Sequence, residues 1–316
     1  NVGVPICKLL ADGLNRDTVV FLEVSSFQAQ GMKNLRPDNV LWTNFEADHL
    51  DHHKDEKEYF LAKANLVEKV GKGPVIVGRS VSEKAREFDY DMPLETEVVD
   101  RNEECSMNLP EDHFLASFPQ LENLSIARGF ANSQGIAEKD FDQAIMDYRP
   151  EPHRLQKVAT IGDATFWNDS KATNAGAAVA ACRNFPGNIF WIGGGKSKGE
   201  DSASFSLRLK PLIKKAFLIG EIGNALGENL KEHGVLATLC SSLKEAVNSA
   251  YEEVNERTNV LFSPGFASFD CFSNYVERGK SFMESVLDHI NPCFFDVTVP
   301  SPLSTKSFFM SSITIK

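Results

Sequence analysis

The sequence predicts an α/β protein with two doubly wound domains, and three observations support this fold class. The chain has 316 residues, of which 42% are hydrophobic and 24% charged, which suits two ordinary globular cores. Short apolar runs alternate with amphipathic runs, as in repeated βα units. A rigid break at Arg149–Pro152 separates two such series. We therefore expect one domain over residues 1–150, a Rossmann-like domain over 151–290 and an irregular tail over 291–316.

The first domain is predicted from its apolar runs. Thr18–Val24, Asn39–Phe45 and Val75–Gly78 are rich in branched and apolar residues, which favours buried strands. Glu56–Val70 has the apolar period of an amphipathic helix. From about residue 83 to 119 that period weakens and acidic residues accumulate. This predicts either a solvent-facing antiparallel extension of the sheet or a loop. Further helices are predicted at Leu121–Ser133 and Glu138–Asp147.

The second domain shows the same alternation more regularly. Its predicted strands are Thr165–Trp167, Asn188–Ile192, Ala216–Ile219 and Asn259–Phe262. Its predicted helices are Ala175–Cys182, Ile222–His233, Leu243–Asn255 and Cys271–His289. Because strands and helices alternate, we expect a mostly parallel sheet whose ligands bind beyond the carboxyl ends of the strands.

Composition excludes several classes of function. The net charge of -11 and the isoelectric point near 5.2 argue against a nucleic-acid partner, which requires a concentrated basic face. The 6 cysteines contain no C-x-x-C pair, so the sequence predicts neither a zinc ribbon nor a disulfide framework. No apolar run approaches the roughly 20 residues that a membrane span needs. We expect a protein of a reducing compartment that binds neither nucleic acid nor a membrane.

The most informative segment is Asn168–Asn174, which lies between a predicted strand and a predicted helix. Such a turn points backbone N–H groups and the positive end of the helix dipole beyond the carboxyl end of the strand. Lys171 adds a full positive charge there, and Asp169 suits a ligand hydroxyl such as that of ribose. The segment predicts an anion-binding turn, or else only a helix cap in which Thr173 or Asn174 is the N-cap and Asp169 is solvated.

Two segments of the first domain carry groups that suit a metal ion. Glu23 closes a predicted strand and is followed by Ser25 and Ser26, and oxygen ligands of this kind suit Mg²⁺. Asp48–His53 follows the next strand and concentrates His and Asp side chains, which fits either a metal ligand or a polar loop. Lys63, on the helix after this loop, is by sequence alone an ordinary surface lysine.

A glycine run in the second domain, Gly193–Lys198, follows a predicted strand with bare backbone and two lysines. It can cradle a carboxylate or a phosphate. It is not a Walker A loop, because that pattern requires glycine at the position of Phe190.

In this order the segments resemble the Mur ligases of peptidoglycan synthesis, most closely the D-glutamate-adding branch of that family. The segments that carry the resemblance are Asn1–Pro5, Glu23–Gln28, Asp48–Asp51, Ala62–Lys63, His153–Arg154, Asn168–Asn174, Gly194–Gly195, Lys198–Gly199 and Ser263–Asp270. The resemblance covers about residues 1–288 and implies a central ATP-binding domain followed by a domain that presents the amino acid. In the family, a UDP-sugar domain and a glycine-rich phosphate loop precede the position of Asn1, so we expect both to be missing here.

The resemblance also implies roles for individual residues. Glu23, His49 and Lys63 correspond to the Mg²⁺ site, in which the family's lysine is carbamylated. The implied catalytic residues are Lys63, His49 and Lys171, and the implied nucleotide contacts are Asn123, Arg154, Asp169 and Lys171. The residues implied to bind D-glutamate are Thr173, Lys198, Ser268, Phe269 and Tyr275, and those on the UDP-sugar side are Asn1 and Ser25.

The reaction implied by the resemblance depends on ATP and Mg²⁺. It joins D-glutamate to UDP-N-acetylmuramoyl-L-alanine through an acyl phosphate. The sequence has no Asp-Asn-Pro-Arg segment of the kind typical of diaminopimelate-adding relatives, which favours D-glutamate. A monomer in the cytoplasm, or in a plastid stroma, is implied in turn.

The sequence leaves two alternatives open. Pro119 and Gln120 stand where the family has His-Asn, and Ser197 stands where it has aspartate. These departures fit a non-catalytic remnant without ligase activity. The second alternative is a sister Mur ligase, or a folylpolyglutamate synthase, with another amino-acid substrate.

Overall fold

A computed structural model describes most of the chain. The described residues are 5–15, 18–46, 48–50, 52–99, 109, 113–185, 187–197, 199, 201–290 and 314–315. The chain divides into two compact units, and each has its own sheet and core. Unit 1 comprises Asn1–Tyr148 with Val299–Lys316, and unit 2 comprises Arg149–Thr298.

Unit 1 is built on a four-stranded sheet. Its strands are β1 (Val40–Trp42), β2 (Val75–Gly78), β3 (Thr96–Val99) and β10 (Thr314–Ile315). Its helices are α1 (Ile6–Asp12), α2 (Ser26–Gly31), α3 (Glu56–Ala64), α4 (Arg79–Glu87), a 3₁₀ turn (Phe114–Ala116), α5 (Gln120–Ser133) and α6 (Glu138–Met146). The strand order is β10-β1-β2-β3, and every neighbouring pair is parallel.

Side chains from the helices cover both faces of the unit 1 sheet. On one face, Trp42 and Val77 pack with Phe60 of α3. On the other face, Ile76 packs with Phe130 of α5. Because alternate residues of a strand point to opposite faces, β1 and β2 are buried throughout, as expected for a doubly wound sheet.

The predicted strand Thr18–Val24 is wrong. The segment is irregular, and within it only Val24 has a bridge pairing. Its side chains nevertheless enter the core, since Val24 is fully buried and the Phe21 ring lies edge-on to Phe130 with 5.7 Å between ring centroids. The apolar pattern correctly indicated that part of the segment is buried. It could not distinguish a paired strand from an irregular core segment, because both bury apolar side chains.

Three other predictions for unit 1 need correction. The stretch 83–119 contains part of α4 and all of β3, which pairs parallel with β2. Glu97 and Val98 of β3 are exposed because this strand lies at the edge of the sheet, so its composition resembles that of a loop. The helix predicted over Glu56–Val70 is shorter, and the chain after α3 continues as turns. The tail predicted to be irregular contains β10.

Unit 2 is built on a six-stranded sheet. Its strands are β4 (Gln156–Ile161), β5 (Ala164–Asn168), β6 (Ile189–Gly194), β7 (Lys215–Ile219), β8 (Leu236–Leu239) and β9 (Thr258–Phe262). Its helices are α7 (Ala175–Cys182), α8 (Ser202–Leu209), α9 (Gly223–Glu232), α10 (Leu243–Glu252) and α11 (Tyr275–Leu287). The strand order is β4-β5-β9-β6-β7-β8, in which β4 is antiparallel to β5 and all other pairs are parallel.

Most predicted elements of unit 2 are present. Helix α7 coincides with its prediction, and the four predicted strands correspond to β5, β6, β7 and β9. Strands β4 and β8 were missed because edge strands are partly exposed, as Leu236 and Leu239 of β8 are. Helix α11 begins later than predicted because the side chain of Asn274 caps it, accepting hydrogen bonds from the N–H groups of Val276 and Glu277.

The order of strands in unit 2 positions its candidate site. Strand β9 lies between β5 and β6, and the three strands are parallel. The segments after them, 168–174, 193–199 and 263–270, therefore meet at one edge of the sheet. Backbone hydrogen bonds join them, from Asp169 N to Phe262 O at 2.7 Å and from Gly194 N to Pro264 O at 2.9 Å.

Candidate functional site

Lys63 is buried in unit 1 on α3, and the expectation of an ordinary surface lysine is wrong. The residue is 1% exposed. Its Nζ has no hydrogen-bond partner in the part of the chain that the structure describes, and it lies 4.9 Å from the centre of the Tyr59 ring. Burial lowers the pKa of Lys63 to about 8, although the carboxylates of Asp48 and Glu23 act in the opposite direction. An unsatisfied buried amine with a lowered pKa marks a candidate functional group.

The loop after β1 brings His49 next to the same tyrosine. The His49 ring lies 6.2 Å from the Tyr59 ring and 4.9 Å from the Phe27 ring, measured between centroids. The backbone of His49 has a φ of +55°, and its N–H donates to Oδ1 of Asp48 at 2.8 Å. A left-handed conformation costs a non-glycine residue about 1 kcal/mol or more, and the surrounding contacts must hold it. Tyr59 thus contacts both His49 and Lys63.

His53 is a buried member of this loop to which sequence reasoning gave no separate role. Its Nε2 shares a hydrogen bond of 3.0 Å with the hydroxyl of Ser26 on α2. Its Nδ1 has no hydrogen-bond partner among the described residues. Burial, helped by the neighbouring His52, lowers the pKa of His53, so the ring is neutral near neutral pH. The sequence pointed to the loop, but it could not say which histidine lies inside.

The prediction of a Mg²⁺ site at Glu23, His49 and Lys63 is not tested by the arrangement of acidic and histidine side chains. Among the described residues, no group of three or more His, Cys, Asp or Glu side chains is placed to hold a metal ion. Two observations nevertheless place Glu23 and His49 near Lys63. The charge of Glu23 opposes the lowering of the Lys63 pKa by burial, and the His49 ring and the Lys63 amine both lie against Tyr59. Glu23, His49 and Lys63 remain a predicted set.

The two other predicted residues of unit 1 that the structure describes have local partners. Ser25 is the N-cap of α2, and it forms a capping box in which its side chain and backbone bond with those of Gln28. Asn123 lies in the first turns of α5, where its Nδ2 donates to Oε1 of Gln120 at 3.3 Å. Asn1 lies outside the described residues.

In unit 2, the turn after β5 is held by its own side chains. Asn168 is fully buried, and its Nδ2 donates to Gly279 O and to His153 Nδ1, both at 3.0 Å. The Asn168 Oδ1 accepts from Ser170 N at 3.1 Å, and Ser170 Oγ donates to Tyr275 O at 2.8 Å. The alternative of a simple cap is partly correct, since Asn174 caps α7. The turn is also anchored to α11, which a cap alone does not require.

Asp169 is buried, contrary to the solvated aspartate of the simple-cap alternative. Its Oδ1 accepts a hydrogen bond from Leu155 N at 3.0 Å, and its Oδ2 accepts one from Ser263 Oγ at 2.7 Å. Burial raises the pKa of Asp169 to about 6, and the two hydrogen bonds and the charge of Arg154 lower it in part. Both carboxylate oxygens are therefore engaged within the protein.

Lys171 lies in the turn after β5. Its Nζ pairs with the carboxylate of Glu151 and lies 6.0 Å from the centre of the Tyr275 ring. Its backbone N–H donates to His153 O at 3.1 Å. Lys171 and Tyr275, which were assigned to the nucleotide and the amino acid respectively, are thus neighbours in unit 2.

Arg154 lies between two residues with left-handed backbones. His153 has a φ of +64° and Leu155 a φ of +42°. The His153 ring is buried against α11, where a Cβ on Gly279 would lie 2.4 Å from Nδ1, so only glycine admits the ring. The turn 153–155 is therefore a strained segment held by contacts from outside it.

The glycine run of unit 2 packs against the loop after β9. A Cβ on Gly195, whose φ is +140°, would lie 2.3 Å from Ala267 O, so the run requires glycine for this close approach. Of the residues predicted to bind D-glutamate, Ser268 on this loop is buried, and Phe269 is 68% exposed. Thr173 lies half-buried on the turn after β5. Lys198 lies outside the described residues.

Arg278 of α11 is a site residue that sequence reasoning missed. It is 1% exposed and donates to Ser170 Oγ at 3.1 Å, Ser170 O at 2.9 Å and Phe266 O at 3.0 Å. It thus joins the turn after β5 to the loop after β9. A signal was present, because Arg278 is spaced by four residues from the buried Phe282 and Val286 along one helix face.

Family profiles and related sequences identify what this arrangement belongs to. The Mur ligase middle domain matches residues 3–97, and the Mur ligase, glutamate ligase domain matches residues 153–266. The UDP-N-acetylmuramoylalanine–D-glutamate ligase of Aquifex aeolicus (strain VF5) is 30% identical over 295 residues, which cover 90% of this chain and 70% of the relative. That of Thermosipho africanus (strain TCF52B) is 33% identical and covers 90% of this chain and 66% of the relative. The chain thus spans about two thirds of the length of these relatives.

Solved structures agree on the fold. A crystal structure of MurF from Acinetobacter baumannii has a TM-score of 0.60 at 14% identity, covering 82% of this chain and 62% of that one. FolC from E. coli in complex with DHPP and ADP has a TM-score of 0.56 at 19% identity, covering 80% and 63%. These structures confirm the α/β fold class, and the family models and named relatives confirm the family resemblance. The chain belongs to the Mur ligase family.

Proposed function

We propose that this chain carries the ATP-binding and amino-acid-binding parts of a ligase that adds D-glutamate to UDP-N-acetylmuramoyl-L-alanine. The observation that carries the proposal is Lys63, a buried amine without a hydrogen-bond partner among the described residues. The choice of D-glutamate is supported by relatives of that name at about 30% identity. Because the chain spans about two thirds of their length, the activity is proposed for the full-length gene product.

The environment of Lys63 suits conversion to a carbamate. A free amine adds CO₂, forming an N–C bond and releasing a proton, and only the unprotonated amine reacts. The lowered pKa of Lys63, about 8, leaves roughly a tenth of the amine unprotonated at pH 7, against far less for an ordinary lysine. The product replaces an unsatisfied buried cation with an anion that offers two oxygen acceptors. This chemistry would explain why Lys63 is buried with no hydrogen-bond partner in the described part of the chain.

The same residues fit a hard cation once that carbamate has formed. Glu23, His49 and the carbamate of Lys63 would hold Mg²⁺, which would supply positive charge between the phosphates of ATP and the acceptor carboxylate. The fit is chemical, because carboxylate-like oxygens are the ligands that Mg²⁺ prefers. Tyr59 would keep water away from the Lys63 nitrogen, since its ring lies against Nζ.

The residues of unit 2 would bind the nucleotide and the amino acid. Arg154 and Lys171 offer positive charge to phosphate groups, and Lys171 would exchange Glu151 for its ligand. The buried Ser268 and the side chain of Tyr275 lie where the loop after β9 leads into α11, the predicted amino-acid side.

The proposed reaction has two steps. An oxygen of the alanyl carboxylate attacks the γ-phosphorus of ATP, the bond from that phosphorus to the bridging oxygen breaks, and ADP leaves. The neutral amine of D-glutamate then attacks the carbonyl carbon of the acyl phosphate, phosphate leaves, and the amine loses a proton. Lys171 would stabilise the phosphoryl group, and Thr173, Lys198 and Ser268 would orient D-glutamate.

The test is a substrate panel with the full-length gene product. The protein is incubated with ATP, Mg²⁺ and UDP-N-acetylmuramoyl-L-alanine, together with D-glutamate, L-glutamate, L-lysine or diaminopimelate. Phosphate release and the mass of the product are measured. Product with D-glutamate alone is the expected result. Product with another amino acid but none with D-glutamate would overturn the assigned substrate, and no product with any would favour the non-catalytic remnant.

A further inference from the structure

The carboxylate of Asp169 is the point where three segments of unit 2 are tied together. Its own backbone N–H bonds to Phe262 O, at the end of β9. Its Oδ1 holds Leu155 N, and its Oδ2 is held by Ser263 Oγ. Asp169 is 94 residues from Ser263 and 14 from Leu155 along the chain. These bonds therefore hold together segments that are distant in sequence, and not only the residues of the turn.

The segment that Asp169 holds is the strained turn at 153–155. A residue in a left-handed conformation needs outside contacts, and Leu155 receives one through its N–H from Asp169. Arg154 lies between the two left-handed residues. The direction in which Arg154 leaves the turn therefore depends on the placement of the Asp169 carboxylate.

Ser263 is itself held firmly. It is fully buried, and its carbonyl oxygen accepts a hydrogen bond of 2.9 Å from Nε1 of Trp191. Its hydroxyl donates to Asp169 at 2.7 Å, a distance typical of a hydrogen bond to an ionised carboxylate. The hydroxyl thus anchors one oxygen of Asp169 while the other oxygen remains on the strained turn.

We propose that Ser263 is a positioning residue for nucleotide binding, whose hydroxyl fixes Asp169 so that the strained turn presents Arg154 to the phosphates. This inference rests on the proposed nucleotide site. It adds a role for Ser263, which acts through its hydrogen bond to Asp169.

Because Asp169 titrates, the positioning role of Ser263 can be detected in the pH dependence of nucleotide binding. Burial opposes ionisation of Asp169, while the Ser263 hydroxyl, the Leu155 N–H and the charge of Arg154 favour it. On α7, Cys182 is buried, and its burial together with the charge of Asp169 raises the pKa of its thiol far above the ordinary value, so the thiol stays neutral. Removing the Ser263 hydroxyl takes away a group that favours the anion, so the pKa of Asp169 must rise further.

The experiment measures binding of a fluorescent ADP analogue to the full-length protein from about pH 5.5 to 9. In the wild type, affinity should fall as the pH drops through about 6, where Asp169 takes up a proton. In Ser263→Ala, the midpoint should move to higher pH, and affinity near pH 7 should fall about tenfold, the size expected for one hydrogen bond to a charged group. Raising the pH should restore part of the loss.

The matched control is Ser206→Ala, which removes another fully buried serine hydroxyl that has no partner among the described residues. It should leave both affinity and midpoint unchanged. If Ser263→Ala does not fold, Ser263→Cys keeps the shape with a weaker donor and should shift the midpoint in the same direction. An unchanged midpoint in the folded variant would overturn the inference. A wild type that binds no nucleotide would instead overturn the proposed function.

Discussion

Two buried cations, one in each unit, differ in a way that separates chemistry from architecture. Lys63 in unit 1 and Arg278 in unit 2 are both 1% exposed. The Arg278 guanidinium donates three hydrogen bonds to neutral oxygens of Ser170 and Phe266. The Lys63 amine donates none to any described residue. Burial of a charge does not itself reveal its role, but the state of its hydrogen bonds does.

The pKa values follow the same division. Burial lowers the pKa of Arg278 to about 10, which still leaves the guanidinium charged at neutral pH. Burial lowers that of Lys63 to about 8, so that a minor fraction of the amine is already unprotonated at neutral pH. A satisfied cation stabilises the segments around it, whereas an unsatisfied one is available for reaction. Three substitutions test this contrast.

The largest effect is expected for Lys63→Ala in the full-length protein. Ligase activity should fall about 100-fold or more, because the site loses the anion that the lysine would carry. Formate or acetate should restore part of the activity by supplying a carboxylate in the vacated space. Lys57→Ala, which changes an exposed lysine of the same helix, is the control. Activity equal to the wild type in Lys63→Ala would remove Lys63 from the site.

Arg278→Met should cost stability. The variant leaves the carbonyl oxygens of Ser170 and Phe266 buried without a donor, so the free energy of unfolding should fall by about 3 kcal/mol. Denaturant titration of unit 2 measures it, with the exposed Arg257→Met as the control. A loss no larger than that of the control would mean that Arg278 does not tie the two segments together.

Lys63→Met should have the smallest effect, and in the opposite direction. In CO₂-free buffer the variant should be more stable than the wild type by about 1–3 kcal/mol below pH 8, because it removes a buried unsatisfied charge. The folded-state pKa of about 8 lies below the ordinary 10.5, so between these values the unfolded wild type binds a proton that the folded one lacks. Wild-type stability should therefore rise with pH across this window.

The difference between the two proteins isolates Lys63 from all other titrating groups. It should shrink between pH 8 and 10.5 and be smallest above that range. A constant difference across the window would show that Lys63 is not strained by burial, and the comparison with Arg278 would lose its basis.

The sequence was informative where a local pattern decides the structure. Helix α7 was predicted over its full length because small apolar residues follow a capping Asn174. The turn 168–174 was identified correctly as the junction of a strand and a helix. Strand β3 was not, since an edge strand with exposed Glu97 has the composition of a loop.

The parts of the site that could not be predicted depend on distant contacts. Ser263 donates a hydrogen bond to Asp169, 94 residues away in sequence, and Arg278 donates one to Ser170, 108 residues away. No local period records such pairs. The burial of Lys63 was equally hidden, because its helix has apolar residues on several sides and the buried position does not follow from charge pattern.

The place of β9 in the unit 2 sheet bears on how the protein is made. During synthesis β5 and β6 leave the ribosome well before β9, which must then insert between them. Until it does, both strands expose unpaired edges, a situation that slows folding and favours aggregation of nascent chains. The turn, the glycine run and the loop after β9 can meet only after that insertion, so ligand-binding competence and completion of the sheet arrive together.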